Sequence, residues 1–583
     1  MPKKLPRNEY PRPTMVRRGW TNLNGVWKFE FDHGLSGLDE RWHEAHDYTR
    51  RIVVPFCPES RLSGIGDRDF HAGVWYEREI TVPKLGGRRM LLHFGASDYE
   101  TTVFLNAEPL GTHRGGYTPF SFDITSSAKP GPNRLTVFAR DEVRSRRQPA
   151  GKQSTRRESY GCHYTRTTGI WQTVWTEVAP HAYIEHLQAT TGADGRTVNV
   201  TLDVAGGTSR ALSATGIARI GRKIVARTEE KTFGGTRVHL ELDVPDGRRW
   251  RPQDPFLYDL DVTLKEGGKM LDKVKSYFGL RTVELTGREV LLNGEPVYLK
   301  LVLDQGFYPD GIYTAPNDAA LRRDIRLCQA AGYNGARLHQ KVFEPRFLYW
   351  ADRLGYLCWG EAPDWGADLS DPVAQDALKA EWAGIVRRDA SHPSIIAWVA
   401  TNEQHPQSLR RQAKGEYLAS LQRLIKQLDP TRPVIDNSGY WHTSTDIIDI
   451  HDYTTGDVIR KNWRKFSRTN DLRDIPATHQ LVMWPGFAPP SAPVHLSEIG
   501  GIGFVTKGSH GWGYGNVPRT KAAFMKRFRD TMRAVMGISN TCGFCYTQLY
   551  DIEQEINGIY TYDRKPKFDI AAIRRIHGEG PRR

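Results

Sequence analysis

Residues 317–339 read NDAALRRDIRLCQAAGYNGARLH. Asn317 suits a helix N-cap, because its side chain can accept from a first-turn amide that has no other partner. Behind it, Leu321, Ile325 and Cys328 recur at i, i+4 and i+7 as one apolar stripe, and Gly332 stops the helix. The run Gly335 to Leu338 is too short for a helix and reads as a strand. A second helix is expected from Phe343 to Leu354, ending before Gly355. Strand-like runs recur at Val297 to Val302, Gly335 to Leu338, Tyr356 to Trp359, Ile395 to Val399, Val434 to Asp436, Ile447 to Ile450, Val494 to Leu496 and Gly543 to Tyr546. Eight such units in about 300 residues fit a TIM barrel, for which about 250 residues is typical. A doubly wound sheet competes, but it advertises a glycine-rich phosphate turn, and Gly294 and Gly306 lack GxGxxG spacing.

Upstream the periodicity changes. Residues 1–180 read as short strands between Gly, Pro and Asn turns. Leu135, Val137 and Ala139 alternate with Arg134, Thr136 and Arg140, and the many aromatics (Trp20, Trp27, Phe29, Phe31, Trp75, Tyr76, Phe94, Phe104) are expected in the core of a jelly roll. In residues 181–283 the alternation is cleaner: Val198, Val200, Leu202 and Val204 share one face, as do Val238, Leu240, Leu242 and Val244, and Tyr258, Leu260, Val262 and Leu264. That stretch predicts an immunoglobulin-like sandwich without a disulfide, serving as a brace. Residues 284–583 are assigned to the barrel.

Composition narrows the function classes. No run of 18 apolar residues occurs, which excludes a helical membrane span. The basic, proline-rich opening Met1 to Gly19 lacks a signal-peptide core and six cysteines are too few for a disulfide framework, so a cytoplasmic protein is expected. Cys542 and Cys545 form a lone CxxC without a second pair and read as structural. The net charge of +14 is scattered in short runs such as Arg144 to Arg147, so no nucleic-acid partner is expected.

Polar residues gather where the barrel strands end, the place from which a TIM barrel draws its catalytic groups. Asp304 follows the first strand, Arg337 and His339 the second, Glu361 and Asp364 the third, and Asn402 and Glu403 the fourth. His451, Asp452 and Tyr453 follow the sixth and Glu498 the seventh. Glu403, in WVATNEQ (398–404), and Glu498, in HLSEIGG (495–501), end apolar runs on opposed strands. Two carboxyl groups flanking a glycosidic bond can protonate the leaving oxygen and attack the anomeric carbon. The same two residues are equally readable as structural partners of Arg337 or Lys300.

Several motifs in order resemble glycoside hydrolase family 2, which contains β-galactosidases, β-glucuronidases and β-mannosidases. Leu23-Asn-Gly-Val-Trp27, Gly73-Val-Trp-Tyr-Glu77 and Gly169-Ile-Trp-Gln-Thr-Val-Trp175 resemble its sugar-binding-like jelly roll. Trp250, Pro252, Pro255, Leu257 and Tyr258 match its WxPxxPxLY pattern, followed by Phe278-Gly-Leu-Arg281. Leu292-Asn-Gly-Glu-Pro-Val-Tyr-Leu-Lys300 resembles its first barrel strand, and Gly332-Tyr-Asn-Gly-Ala-Arg337 its second. Asn402-Glu403 and Ser497-Glu498-Ile-Gly500 resemble its acid/base and nucleophile signatures.

The resemblance implies a retaining exo-β-glycosidase with Glu403 as acid/base, its pKa raised, and Glu498 as nucleophile. Asn402 would donate to the 2-hydroxyl, and Arg337 and Tyr453 would hold Glu498. Asp304, His339, Glu361, Asp364 and His451 are candidates for the sugar hydroxyls, with Trp365, Trp484 or Trp512 as an apolar platform. The stretch Gln548 to Asp563 is expected to close one side of the mouth. The chain departs from better-known members at Tyr546-Thr-Gln548, where many carry tryptophan, and at Arg337-Leu-His-Gln-Lys341, and it lacks the Asn-x-Lys element of β-glucuronidases. A β-galactoside-like substrate is therefore expected. The alternatives are β-glucuronidase, β-galactofuranosidase or arabinosidase specificity, or a silent carbohydrate-binding protein. No cofactor or resident metal is expected, and a homo-oligomer is left open.

Overall fold

The computed structural model describes residues 5–207, 211–232, 236–406, 411–476, 482–505 and 510–579. Its N-terminal part is a jelly roll of two antiparallel sheets. One has four strands in the order Trp20–Asn22, Val174–Ala179, Arg89–Phe94, Phe120–Asp123; the other has six, centred on Gly73–Val82 and Gly131–Arg140. The aromatics expected in its core are buried, Trp20 alone being half-exposed.

The next part is an immunoglobulin-like sandwich of a three-stranded and a four-stranded sheet. The three alternating apolar sets read from the sequence form its single core, because a period of two puts every second side chain on the inner face. A buried cation fastens this sandwich to the jelly roll: Arg17 donates to Glu177 Oε2 (2.6 Å), Asp272 Oδ2 (2.7 Å) and the Ile184 carbonyl (2.7 Å). Trp250 of the WxPxxPxLY motif is fully buried and donates through Nε1 to the Asp352 carbonyl of the third part at 2.7 Å. That motif therefore joins two domains.

The third part is a parallel eight-stranded barrel: β1 (Leu299–Asp304), β2 (Gly335–Leu338), β3 (Leu357–Glu361), β4 (Ile395–Val399), β5 (Val434–Ile435), β6 (Ile448–Asp452), β7 (Val494–Gly500) and β8 (Thr541–Thr547). Leu299, Leu301, Leu303, Trp359, Val399 and Cys545 fill its interior, while Val302 and Phe544 face the helices. The helix Asp318–Ala330 is capped by Asn317 Oδ1, which accepts from Ala320 N at 3.0 Å. The second helix starts at Pro345 rather than Phe343, since proline fixes φ and needs no amide partner at N1. The first strand also begins later than its sequence run. Leu292 to Val297 instead turns through Asn293 (φ 57°) and Gly294 (φ 80°) as a hairpin in a small antiparallel sheet at the barrel's base. The six cysteines form no disulfide, and among the described residues no helix is long and apolar enough to cross a membrane.

The ladder runs unbroken from β5 through β1 to β6, leaving β5 and β6 unpaired with each other. His442, fully buried, spans that gap. Its Nδ1 lies 2.8 Å from Asp436 Oδ1 after β5, and its Nε2 lies 3.0 Å from the Asp449 carbonyl of β6. Burial opposes the imidazolium, but Asp436 and Asp449 outweigh it and push the pKa up to about 9. A folded-state pKa above the unfolded value stabilises fully below about pH 6.5, and the contribution is lost as pH rises through about 9. The wild type is thus expected to exceed His442→Gln by about 3 kcal/mol more at pH 6 than at pH 10. Urea denaturation at both pH values measures this difference, and a pH-independent gap would contradict it.

Candidate active site

Arg337 leaves β2 pointing into the barrel throat and is fully buried. Its Nε donates to Glu361 Oε2 (2.7 Å), its Nη1 to Glu498 Oε1 (3.0 Å) and its Nη2 to Asn402 Oδ1 (2.6 Å). The guanidinium fork thereby ties the ends of β3, β7 and β4 to that of β2, a task its planar donors suit. Burial drives Glu361 up, but Arg337 and His339 reverse this and hold it down at about 2. Burial likewise acts against ionised Glu498, yet His451 and Arg337 keep its pKa below the usual carboxylate range. The Tyr453 hydroxyl donates to Glu498 Oε2, and its ring stacks on Tyr514 with centroids 3.6 Å apart.

Glu403 sits four residues past the end of β4 with φ 50°, a left-handed conformation that costs a glutamate roughly 1 kcal/mol or more. Its amide donates to the Ser438 carbonyl at 2.9 Å. His451 bridges the two glutamates, with Nδ1 2.8 Å from Glu403 Oε1 and Nε2 3.5 Å from Glu498 Oε1. The Tyr440 hydroxyl lies 3.5 Å from the same Glu403 oxygen. Contrary to the expectation of a raised pKa, Glu403 is low, at about 2. Burial pushes it up, but the His451 hydrogen bond and the charges of His451 and Lys152 prevail. The pKa of His451 is raised in turn: burial lowers it, and Glu498 and Glu403 more than compensate.

Glu403, His451 and Glu498 offer donor atoms within 4.8 Å of one another, close enough to hold a metal ion. Arg337 already occupies two of these atoms: its Nη1 donates to Glu498 Oε1 at 3.0 Å and lies 3.3 Å from His451 Nε2, so a cation there would meet a fixed positive charge.

The remaining sequence candidates separate into groups. Asp364, fully buried, accepts from Asn402 N (3.0 Å), Gln340 Nε2 (2.5 Å) and Gln404 Nε2 (2.7 Å), and burial pushes its pKa up to about 7. It positions Asn402, whose Nδ2 is buried without a partner, a donor left for a ligand hydroxyl. His339 lies with Nδ1 3.0 Å from Glu361 Oε1. Trp365 borders the site and donates from Nε1 to the Asn402 carbonyl at 3.1 Å. Trp512 is at the rim, its Nε1 2.8 Å from the Gly161 carbonyl of the jelly roll.

Two expectations are corrected. Trp484 is fully buried, packed near Trp441 and over Gly415, and offers no face to a sugar. The Asp304 carboxyl accepts from Tyr550 Oη (2.5 Å) and Gly306 N (3.0 Å), so it fixes a loop instead of meeting the glutamates. Tyr440, Tyr514, Gln340, Lys152 and Glu555 escaped the sequence reading. Glu555 lies within the stretch expected to close the mouth, where Tyr164 Oη and Asn557 Nδ2 (2.9 Å) donate to it.

Arg337 sets a test of its own. Arg337→Met leaves Glu361 and Glu498 buried without a counter-charge and is expected to lose about 3–5 kcal/mol of stability in chemical denaturation. Arg337→Lys keeps the charge without the fork and should lose distinctly less; equal losses would exclude charge compensation as the cause.

Comparison with known proteins bears on the whole chain. Signatures described as the sugar binding domain of glycosyl hydrolases family 2, as glycosyl hydrolases family 2, and as that family's TIM barrel domain match residues 20–146, 182–281 and 283–472. The β-glucuronidase of Paenibacillus borealis is 26% identical over 454 residues, covering 73% of this chain and 74% of that protein. The β-glucuronidase of Canis lupus familiaris is 28% identical over 481 residues, covering 74% and 70%. Among solved structures, a β-glucuronidase from an uncultured Clostridium sp. superposes with a TM-score of 0.77 at 22% identity, covering 98% of this chain and 100% of that one. The β-glucuronidase from Ruminococcus gnavus in complex with D-glucuronic acid superposes with a TM-score of 0.79 at 20% identity, with the same coverage. These superpositions speak for the fold.

Proposed function

The chain belongs to glycosyl hydrolases family 2 and is a glycoside hydrolase, and from that premise we propose that it is a retaining β-glucuronidase acting on terminal, non-reducing β-glucuronides. The observation that supports the mechanism is the closeness of its two glutamates: His451 bridges them, with Nδ1 2.8 Å from Glu403 Oε1 and Nε2 3.5 Å from Glu498 Oε1, and one oxygen of each lies within 4.8 Å of the other's. Retaining enzymes hold their carboxyl groups about 5–5.5 Å apart, and inverting ones leave about 6.5–9.5 Å for a water molecule. The expected β-galactoside-like substrate gives way to the β-glucuronide alternative because the relatives carry that activity in their names. A division at residues 1–180, 181–283 and 284–583 suits this reading, and unbridged cysteines suit a cytoplasmic setting.

Glu498, kept ionised by Arg337 and Tyr453, attacks the anomeric carbon while Glu403 protonates the departing oxygen. The C–O bond breaks and a glycosyl ester of Glu498 forms. Glu403, whose pKa is held low, needs a proton, and His451 Nδ1, 2.8 Å away, is placed to deliver it. A bound sugar expels water and lowers the local dielectric, which favours the neutral acid and neutral imidazole over the ion pair. Once the ester forms, Glu403 takes a proton from water, whose hydroxyl releases the sugar with its configuration retained. The orphaned Asn402 amide donates to the 2-hydroxyl as charge develops on the ring.

A panel of nitrophenyl glycosides tests the reading: release from the β-glucuronide should dominate, and release from none would leave only a silent carbohydrate-binding scaffold. Glu498→Ala and Glu403→Ala should each lower turnover by about four orders of magnitude. Azide should rescue Glu498→Ala as the inverted α-glycosyl azide and Glu403→Ala as the β-azide, with product NMR as the readout. Near-normal turnover in either variant would remove that glutamate from the mechanism.

A further inference from the structure

Lys152 enters the mouth of the barrel from the jelly roll, and none of the steps above uses it. Its backbone is pinned there. The amides of Ala150 and Gly151 both donate to the Trp365 carbonyl at 2.9 Å, and Tyr164 N donates to the Lys152 carbonyl at 2.7 Å. Gly151 has φ 59°, and a Cβ on it would stand 2.3 Å from the Gln340 carbonyl oxygen, so only glycine lets this strap lie against the end of β2.

The residue is 6% exposed, and Nζ stands 4.2 Å from the centroid of the Trp365 ring. Trp365 is the residue bonded to the Asn402 carbonyl, so the ammonium lies beside the acid/base pair. Burial opposes its charge, while Cys162, Glu555, Glu498 and Glu403 raise its pKa. Apart from that ring, Nζ has no hydrogen bond or ion pair with any described residue. The carboxylates near it are already satisfied: Glu498 by Arg337 and Tyr453, Glu403 by His451, and Glu555 by Tyr164 and Asn557. Other buried cations of the barrel are engaged as well. Lys341 donates to the Gly306 and Tyr313 carbonyls, Lys567 to Asp551, and Arg564 to Asp324.

An anionic sugar entering a pocket that already holds Glu403, Glu498 and Glu555 would be repelled unless a cation received its charge. Of the cations considered, only the Lys152 ammonium has all three donors uncommitted. We propose that Lys152 is the specificity-determining residue of the pocket and binds the carboxylate of a uronic acid glycoside, so that the jelly-roll strap supplies the uronate receptor. This rests on the β-glucuronide reading and deepens it by naming the group that would select the acid.

The test compares nitrophenyl β-D-glucuronide with nitrophenyl β-D-glucoside, which differ in the oxidation state of C6. Lys152→Met, Lys152→Arg and the wild type are assayed, with thermal unfolding to confirm that each is folded. Lys152→Met should lose about 100-fold in kcat/KM on the glucuronide, the scale of a lost charge-assisted hydrogen bond in a buried site. Its loss on the glucoside should be at least tenfold smaller, and Lys152→Arg should restore much of the glucuronide activity. A wild type that prefers the glucoside removes the uronide reading and the inference with it. A wild type that prefers the glucuronide, paired with a Lys152→Met that loses equally on both substrates or on neither, removes the inference alone. Should Lys152→Met fail to fold, Lys152→Gln, which keeps length and polarity, is judged by the same ratio.

Discussion

A single guanidinium with no exposure to water organises this molecule's chemistry. Arg337 cannot shed its proton, so the throat of the barrel holds a fixed positive charge around which every neighbouring group must titrate. Glu361 and Glu498 ionise because it is there, and Asn402 turns its carbonyl oxygen toward Nη2, which leaves its Nδ2 without a partner. Removing two carboxylates and a cation from water is costly, and the arrangement holds because each nitrogen of the fork meets an acceptor at hydrogen-bond distance. The apolar layer of Leu301, Trp359 and Cys545 beneath keeps the dielectric low and the geometry tight.

Much of this was legible in the sequence, for a physical reason. Barrel strands alternate a filled interior with a helix-facing side, and the polar residues that break this pattern fall where the strands end. Arg337, Glu361, Asn402, Glu403, His451, Tyr453 and Glu498 could all be read that way. Trp484 was misread because tryptophan is as often a core residue as a platform, and nothing in its irregular stretch tells the two apart. Asp304 ends its strand like the others, but the loop after β1 bends back and Gly306 N claims its carboxyl. The low pKa of Glu403 was out of reach because it depends on His451, 48 residues away in sequence and in direct contact only after the barrel closes.

The groups that escaped share another trait: they reach the site from loops, and Lys152 and Tyr164 do so from a different domain. A loop has no period, and nothing in residues 150–164 announces a contact nearly 400 residues away such as Tyr164 with Glu555. The contact is nonetheless built firmly. Gly116 N donates to Glu381 Oε1 at 2.7 Å, Thr314 Oγ1 donates to the Trp171 carbonyl at 2.6 Å, and the Tyr117 and Tyr313 hydroxyls lie 3.2 Å apart. Buried polar groups paired across a boundary resist separation, since parting them without water leaves each one unsatisfied.

On the proposed reading the jelly roll is one wall of the site rather than an appended module. A (β/α)8 barrel offers a wide mouth, and its strand ends here supply a charge pattern dominated by carboxylates. The buried cations described above are committed to the barrel's loops and to Glu361 and Glu498, so on the proposed reading discrimination by charge falls to a group from outside the barrel. A strap from a rigid neighbouring domain can carry that charge without disturbing the strands that set the distance between Glu403 and Glu498. On this arrangement reaction and selection reside on separate parts of the chain, and the selecting side chain can change while the spacing of the reacting carboxylates stays fixed.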